Sequence, residues 1–160
     1  MFSALKPVIY VQISPERLAL KNVKTGQTID DTPDVAIKGS PRREIIAVGS
    51  QARQAAALQG AEIVNPFAHP RSLISDFDVA EQLLMHQLHR LLGNHLFIMP
   101  CVVMHPLGSP AGGFTQIELK AFREMALGAG ASEVFLCNGR PLTDQEVLTR
   151  QPADGRWLDA

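Results

Sequence analysis

The sequence has little to steer it toward a charged partner. Its 160 residues carry a net charge of −1, with charged residues at only 19%. No long run of like charge occurs, and Pro41-Arg42-Arg43 and His86–Arg90 are too short to form a basic patch. Nucleic acid is held by neutralising many phosphates, so it is not an expected partner. No apolar run approaches the roughly 20 residues of a membrane span. Met1–Pro7 lacks the apolar stretch of a signal peptide, so the expected compartment is the cytoplasm. Cysteine is scarce: Cys101 and Cys137 each sit in an apolar strand-like run. Two such residues read as buried reduced thiols and exclude a secreted disulfide scaffold. Metal-ligand spacing is missing too. His86 and His89 stand three apart on one helix face, but no carboxylate or cysteine at ligand spacing joins them. His69, His95 and His105 fall in segments read as loops. No Ser/His/Asp order with a nucleophile turn is present, and there is no internal repeat or low-complexity tract.

What is present is enough apolar residue, 46%, for one domain with a small lobe. The stretch Val8–Val23, VIYVQISPERLALKNV, organises the rest. Two runs rich in β-branched and apolar residues flank Ser14-Pro15-Glu16, which reads as strand, turn, strand. Thr28-Ile29 and Val35-Ala36-Ile37 continue as short strands, interrupted by Asp30-Asp31-Thr32-Pro33. Glu44–Val48 is another strand, and Gln51–Leu58 is an Ala-rich helix closed by Gly60.

From Asp78 to Leu92 the apolar spacing is helical, with Val79, Leu83, Leu84, Leu88, Leu91 and Leu92 on one stripe. Ser75 or Asp76 caps it, and Gly93 ends it. Ile98–Met104 reads as a strand with Pro100 near its start. Thr115–Glu118 and Thr143–Glu146 are capping boxes opening two further helices. The first of these is expected to bury Ile117, Ala121 and Met125. Between them lies the strand Glu133–Cys137. The loop Gly108–Gly113 precedes a capped helix and reads as a mobile connection rather than an anion site. The expected organisation is a tail at 1–7, a core from 8–38 and 66–150, a small inserted lobe at 39–65, and a tail at 151–160 that holds Trp157. Strands followed by alternating helix and strand predict an α/β fold with a mixed five-stranded sheet and helices on both faces.

Several segments resemble MreB-like rod shape-determining proteins, within the actin-like ATPase (RNase H-like) superfamily. Thr115–Leu136, TQIELKAFREMALGAGASEVFL, is similar to that family's helix–turn–strand without a gap. Ser72–Leu84, SLISDFDVAEQLL, resembles the stretch entering the helix after its lobe. Glu44–Ala52, EIIAVGSQA, resembles the lobe's strand and turn, and YVQISPERLAL falls where the family has its first phosphate loop. The resemblance spans roughly residues 8–140 and implies the N-terminal half of the family's fold.

The departures set the functional expectation. The family's hairpin carries Asp-Leu-Gly-Thr or a close variant for metal and phosphate; here Gln12-Ile13-Ser14-Pro15 stands there. Gln12 is a poor partner for Mg²⁺, Ser14 adds a side chain where glycine admits the backbone, and Pro15 has no N–H to donate. The family's second strand ends in Glu-Glu-Pro; here the chain reads Cys137-Asn138-Gly139-Arg140-Pro141, with no water-orienting carboxylate. The family's second domain also has no counterpart in these residues. Gln12, Ser14, Pro15 and Gly139 are therefore read as degenerate nucleotide-binding positions, with no catalytic residue, metal or cofactor.

The expectation is a non-catalytic half-actin in cell shape or envelope morphogenesis. It would bind a protein partner, itself or a full-length actin-like filament through uncovered apolar surface, at the inner face of the membrane through that partner. Two alternatives stand. In one, the chain is a nucleotide-binding subunit whose cleft, with ATP and Mg²⁺, a second chain completes. In the other, it is a scaffold component of a pilus or secretion platform.

Overall fold

The structure is a computed structural model and describes residues 5–93, 99–108, 110–152 and 157–158. Its elements run β1 (Val8–Ile13), β2 (Leu18–Asn22), β3 (Thr28–Asp31), β4 (Val35–Lys38), β5 (Glu44–Val48), α1 (Ala52–Gln59) and β6 (Glu62–Val64). They continue with α2 (Phe77–Leu92), β7 (Cys101–Pro106), α3 (Gln116–Gly128), β8 (Glu133–Cys137), α4 (Asp144–Thr149) and β9 (Trp157–Leu158).

The main sheet has the order β3-β2-β1-β7-β8-β9. β1 pairs antiparallel with β2 and parallel with β7, and β7 pairs parallel with β8. The carboxyl ends of β1, β7 and β8 therefore share one edge, which is where an open parallel sheet offers a crevice. The sheet is mixed, as expected, but has six strands rather than five. Trp157-Leu158, expected in a loose tail, returns antiparallel along Leu136-Cys137.

One face of this sheet is packed by α2 and α3. Asp76 caps α2 by accepting from the Val79 N–H, and Thr115 and Glu118 form the reciprocal box on α3. The stripe of α2 is buried as its spacing implies. That of α3 is rotated from the expectation: Leu119, Phe122, Met125 and Ala126 face the sheet, whereas Ile117 is 81% exposed. Ile117 lies two positions, about 200° around the helix, from the buried Leu119, so it points away from the sheet. The core on this face joins Ile9, Val11, Ile13, Val102, Met104 and Leu136 to the two helices.

The second face carries a smaller cluster around Val8, Tyr10, Cys101, Val103 and Cys137, covered by Leu142 and by Val147 of α4. Helices thus lie on both faces. Both cysteines are buried.

The lobe is a second sheet of order β5-β4-β6, with α1 packed on it through Ala52 and Ala56 against Ala36. Val35–Lys38, expected with the core, is its central strand, and Glu62–Val64 supplies a strand that the sequence pattern does not announce. Thr32 and Pro33 separate β3 from β4, so the chain leaves the main sheet there and not after Lys38. The junction is tight. Asp31 accepts from the Thr32 and Ser50 N–H groups, each at 2.8 Å. Gly49, at φ +70, lies so close to the Asp31 carboxylate that any Cβ there would collide with it.

Candidate functional site

The loops after β1, β7 and β8 meet at the shared edge, and the first of them is the hairpin turn. Ile13 pairs with Leu18, so the turn is Ser14 to Arg17. Its amides can be accounted for one by one. The Ser14 N–H donates to the Arg17 carbonyl at 2.9 Å, and the Arg17 N–H returns to the Ser14 carbonyl at 3.3 Å. The Glu16 N–H donates to Ser14 Oγ at 3.3 Å, and Pro15 has no N–H. The Pro15 carbonyl accepts from Asn65 Nδ2 at 2.7 Å, which ties the turn to the segment returning from the lobe. A phosphate cradle needs convergent unpaired donors; every amide of this turn is engaged within the turn.

Gln12 is half-buried and lines a groove of about 280 Å³ on the second face with Tyr10, Lys21, Thr28 and Leu142. The two carboxylates on this groove are already matched. Asp30 accepts two bonds from Arg17, each 2.7 Å, and this pairing holds the Asp30 carboxyl below its ordinary value and raises that of Arg17. Asp144 accepts from Lys21 Nζ at 2.8 Å. Among the described residues no group of three or more His, Cys, Asp or Glu could hold a metal ion.

Gly139 lies at the end of β8 with φ +83. Its carbonyl accepts from His105 Nε2 at 3.0 Å. A carbonyl can only accept, so Nε2 carries the proton. His105 Nδ1 bonds the Tyr10 hydroxyl, whose oxygen also accepts from the Leu142 N–H at 3.0 Å. His105, expected in a loop, is thus fully buried inside β7 and pins the turn after β8. The sequence carries one signal of this: Cys101, Val103 and His105 alternate onto the face that Tyr10 shares, but only the parallel register reveals the pairing. Glu146, the other carboxylate near this turn, accepts two bonds from Arg140 at 2.9 and 2.8 Å while closing the capping box of α4. So the structure brings Gly139 and Tyr10 together through His105, and it leaves Ser14 and Pro15 closed on themselves.

The remaining candidates separate. His86 and His89 are exposed on α2; burial, and then the neighbouring Arg90 and His89, lower the affinity of His86 for a proton. His69 is on an exposed loop. His95, Ile98, Ser109 and Met1–Ala4 lie outside the described residues. Another surface feature is apolar. Ile117 stands over a groove of about 280 Å³ lined also by Ile74, Phe77 and Ala121. A second groove shares Ser72 and Glu118 with it and continues towards Phe67 and Phe114.

Comparison with known proteins places this architecture. The family model for the MreB/Mbl protein matches residues 20–142, beginning inside β2, just after the closed turn. The cell shape-determining protein MreB of Escherichia coli is 35% identical over 118 residues, covering 69% of this chain and 32% of that protein. The Haemophilus influenzae protein of the same name is 34% identical over 119 residues, covering 71% and 32%. The chain therefore spans about a third of the length of these relatives. Among solved structures, MreB5 of Spiroplasma citri bound to ADP superposes with a TM-score of 0.65 at 19% identity, over 82% of this chain and 37% of that one. A non-polymerising mutant of MamK bound to AMPPNP gives 0.65 at 15%, over 83% and 41%. At these identities the superpositions show a common fold, that of the actin-like proteins. With three quarters of its length matched by the family model, this chain belongs to the MreB/Mbl family.

Proposed function

We propose that this chain is a non-catalytic MreB-like protein that works by protein contact in cell shape or envelope morphogenesis, in the cytoplasm and at the inner face of the membrane through its partner. The observation that carries the reading is the hairpin turn. Its N–H groups are spent internally, Pro15 offers none, and Gln12 brings no carboxylate. The turn after β8 supports it from the other side, since Glu146 is committed to Arg140 and the Gly139 carbonyl to His105. Protein contact is supported by Ile117, a β-branched apolar side chain held 81% exposed over an apolar groove. The partner is a second copy or a full-length actin-like protein, in keeping with a solved structure described as a MamK double helical filament, which this fold matches at a TM-score of 0.56.

Calorimetry with Mg-ATP tests the first half: the expected result is no heat of binding, and a saturable isotherm would overturn it. Light scattering tests the second half. Ile117→Glu is expected to lower the association of the chain with itself, or with an actin-like filament, and unchanged association would sink that surface. The alternative, a nucleotide-binding subunit, is favoured by the ADP and AMPPNP held by structural neighbours. It requires Mg-ATP binding to appear once a protein completing the cleft is added.

A further inference from the structure

The lobe leaves and rejoins the main sheet at two crossings, Thr32-Pro33 before β4 and Asn65-Pro66 after β6. Polar contacts tie it back to the body. Asp31, the last residue of β3, accepts from the Ser50 N–H at the start of the lobe's helical segment, at 2.8 Å. Val48 and Gln51, at the cap positions there, supply no side-chain cap. The cap therefore comes from the main sheet. The other Asp31 oxygen stands 3.9 Å from the Arg90 guanidinium on α2. A further tie, Arg43 to Asp76 at 3.4 Å, is half exposed. Near it, a groove of about 190 Å³ separates Ile37, Arg43 and Ile45 of the lobe from Asp78, Val79 and Gln82 of α2.

The corner around Asp31 is also where polar atoms go unmatched. Gln87 is fully buried on α2; its Oε1 accepts from Arg90 at 3.1 Å, and its Nε2 has no partner among the described residues. Thr32 Oγ1, on the residue after Asp31, is buried without one as well. A buried polar atom without a partner costs free energy that water would return. The closed corner thus carries a penalty that a small outward movement of the lobe relieves. We infer that the lobe pivots against α2 about its two crossings, with Asp31 as the latch that holds it closed. Val35, Ile37 and Val48 share the core of the main sheet, so the movement is a slide in contact rather than a detachment. Asn65, at the second crossing, holds the Pro15 carbonyl, which fixes that end of the pivot to the hairpin turn. The inference stands on this junction and holds whether or not the chain binds nucleotide.

Spin labels on Leu58→Cys, 78% exposed on the lobe's helix, and Leu127→Cys, exposed on α3, read the position of the lobe as a distance distribution in the full chain. Cys101 and Cys137 are buried and leave the labels to the introduced thiols. The wild type should show one main distance, with any second population below about 10%. Asp31→Asn, which keeps an acceptor but loses the charge, should raise the second population at least about fivefold. Gly49→Ala, whose Cβ would displace the same carboxylate, should raise it by another route. Adding Gln87→Met to Asp31→Asn removes the unmatched Nε2 and should bring the population back down. Amide exchange within α1 and α3 should keep wild-type rates in all of these, because the lobe moves whole. Three results each overturn the latch: an unchanged distance distribution in Asp31→Asn and Gly49→Ala, a second population that Gln87→Met leaves in place or enlarges, or faster exchange throughout α1, which would mean that the lobe unfolds instead of pivoting.

Discussion

The two faces of the main sheet are closed by different means. On one, two helices of 16 and 13 residues lay continuous apolar stripes on the strands, and the buried residues are almost all aliphatic or aromatic. On the other, a six-residue helix, a two-residue strand and a buried Tyr10–His105 pair share the task. The first face is held by area, which is non-directional and forgiving of small shifts. The second is held by a few directional contacts, each of which leaves an orphan if cut. This difference locates specificity. The turn after β8 hangs on the directional face, through His105 and Tyr10.

Mutations should separate the two mechanisms, and the largest effect belongs to the aliphatic face. Leu83 is fully buried between α2 and the sheet. Leu83→Ala should cost about 2–5 kcal/mol in urea unfolding, with the turn after β8 intact by amide exchange. Next comes His105→Ala, which removes the donor to the Gly139 carbonyl and one partner of the Tyr10 hydroxyl. Roughly 1–3 kcal/mol is expected, but with a local signature: amide exchange at Leu142 should accelerate more than exchange in α2. Equal acceleration in both regions would break the distinction between the faces. Thr143→Ala removes the cap of α4 and should cost about 1 kcal/mol. The same change at Thr115 should matter less to the helix it caps, since α3 is twice as long and packed along its length. Comparing helicity loss in the two variants reads this out.

The smallest effect is expected at Arg17–Asp30, which is exposed and screened by solvent. The folded-state pKa of Asp30 is lowered, chiefly by its hydrogen bonds to Arg17. Any stabilisation is therefore complete above the ordinary value of 3.8 and is lost as the pH falls below it through the lowered folded-state value. Asp30→Asn should differ from the wild type by about 0–1 kcal/mol at neutral pH. The gap should close in acid and shrink in salt. A gap that widened in acid would reverse the sign of the linkage.

The aliphatic face was legible in the sequence because its signals are periodic. The stripe of α2 and the two capping boxes follow from spacing, and they stand where the spacing puts them. Ile117 shows the limit of that logic. Helical spacing places it one turn before Ala121 and two before Met125, but Leu119, Phe122 and Ala126 share Met125's side equally well, and that stripe is the one buried. The second face was largely illegible. His105 looked like a loop residue because its partners, Tyr10 and Gly139, are 95 and 34 positions away. Trp157 looked like tail because two residues carry no period. At the site, the identities of Gln12, Ser14 and Pro15 could be read. The internal closure of the turn could not, because it depends on where each amide points.

That closure bears on how the turn could be reversed. On the reading proposed above, a carboxylate at Gln12 alone would not make a phosphate site, because the turn's own N–H groups are already paired. Each N–H of the turn would first have to give up the partner it holds, and Asn65 would have to release the Pro15 carbonyl. Gln12→Asp would set an unmatched charge beside a groove whose cations are already taken by Asp30 and Asp144. An engineer would have to rebuild the whole loop, beginning with the residue at Pro15, before a single phosphate oxygen found a donor.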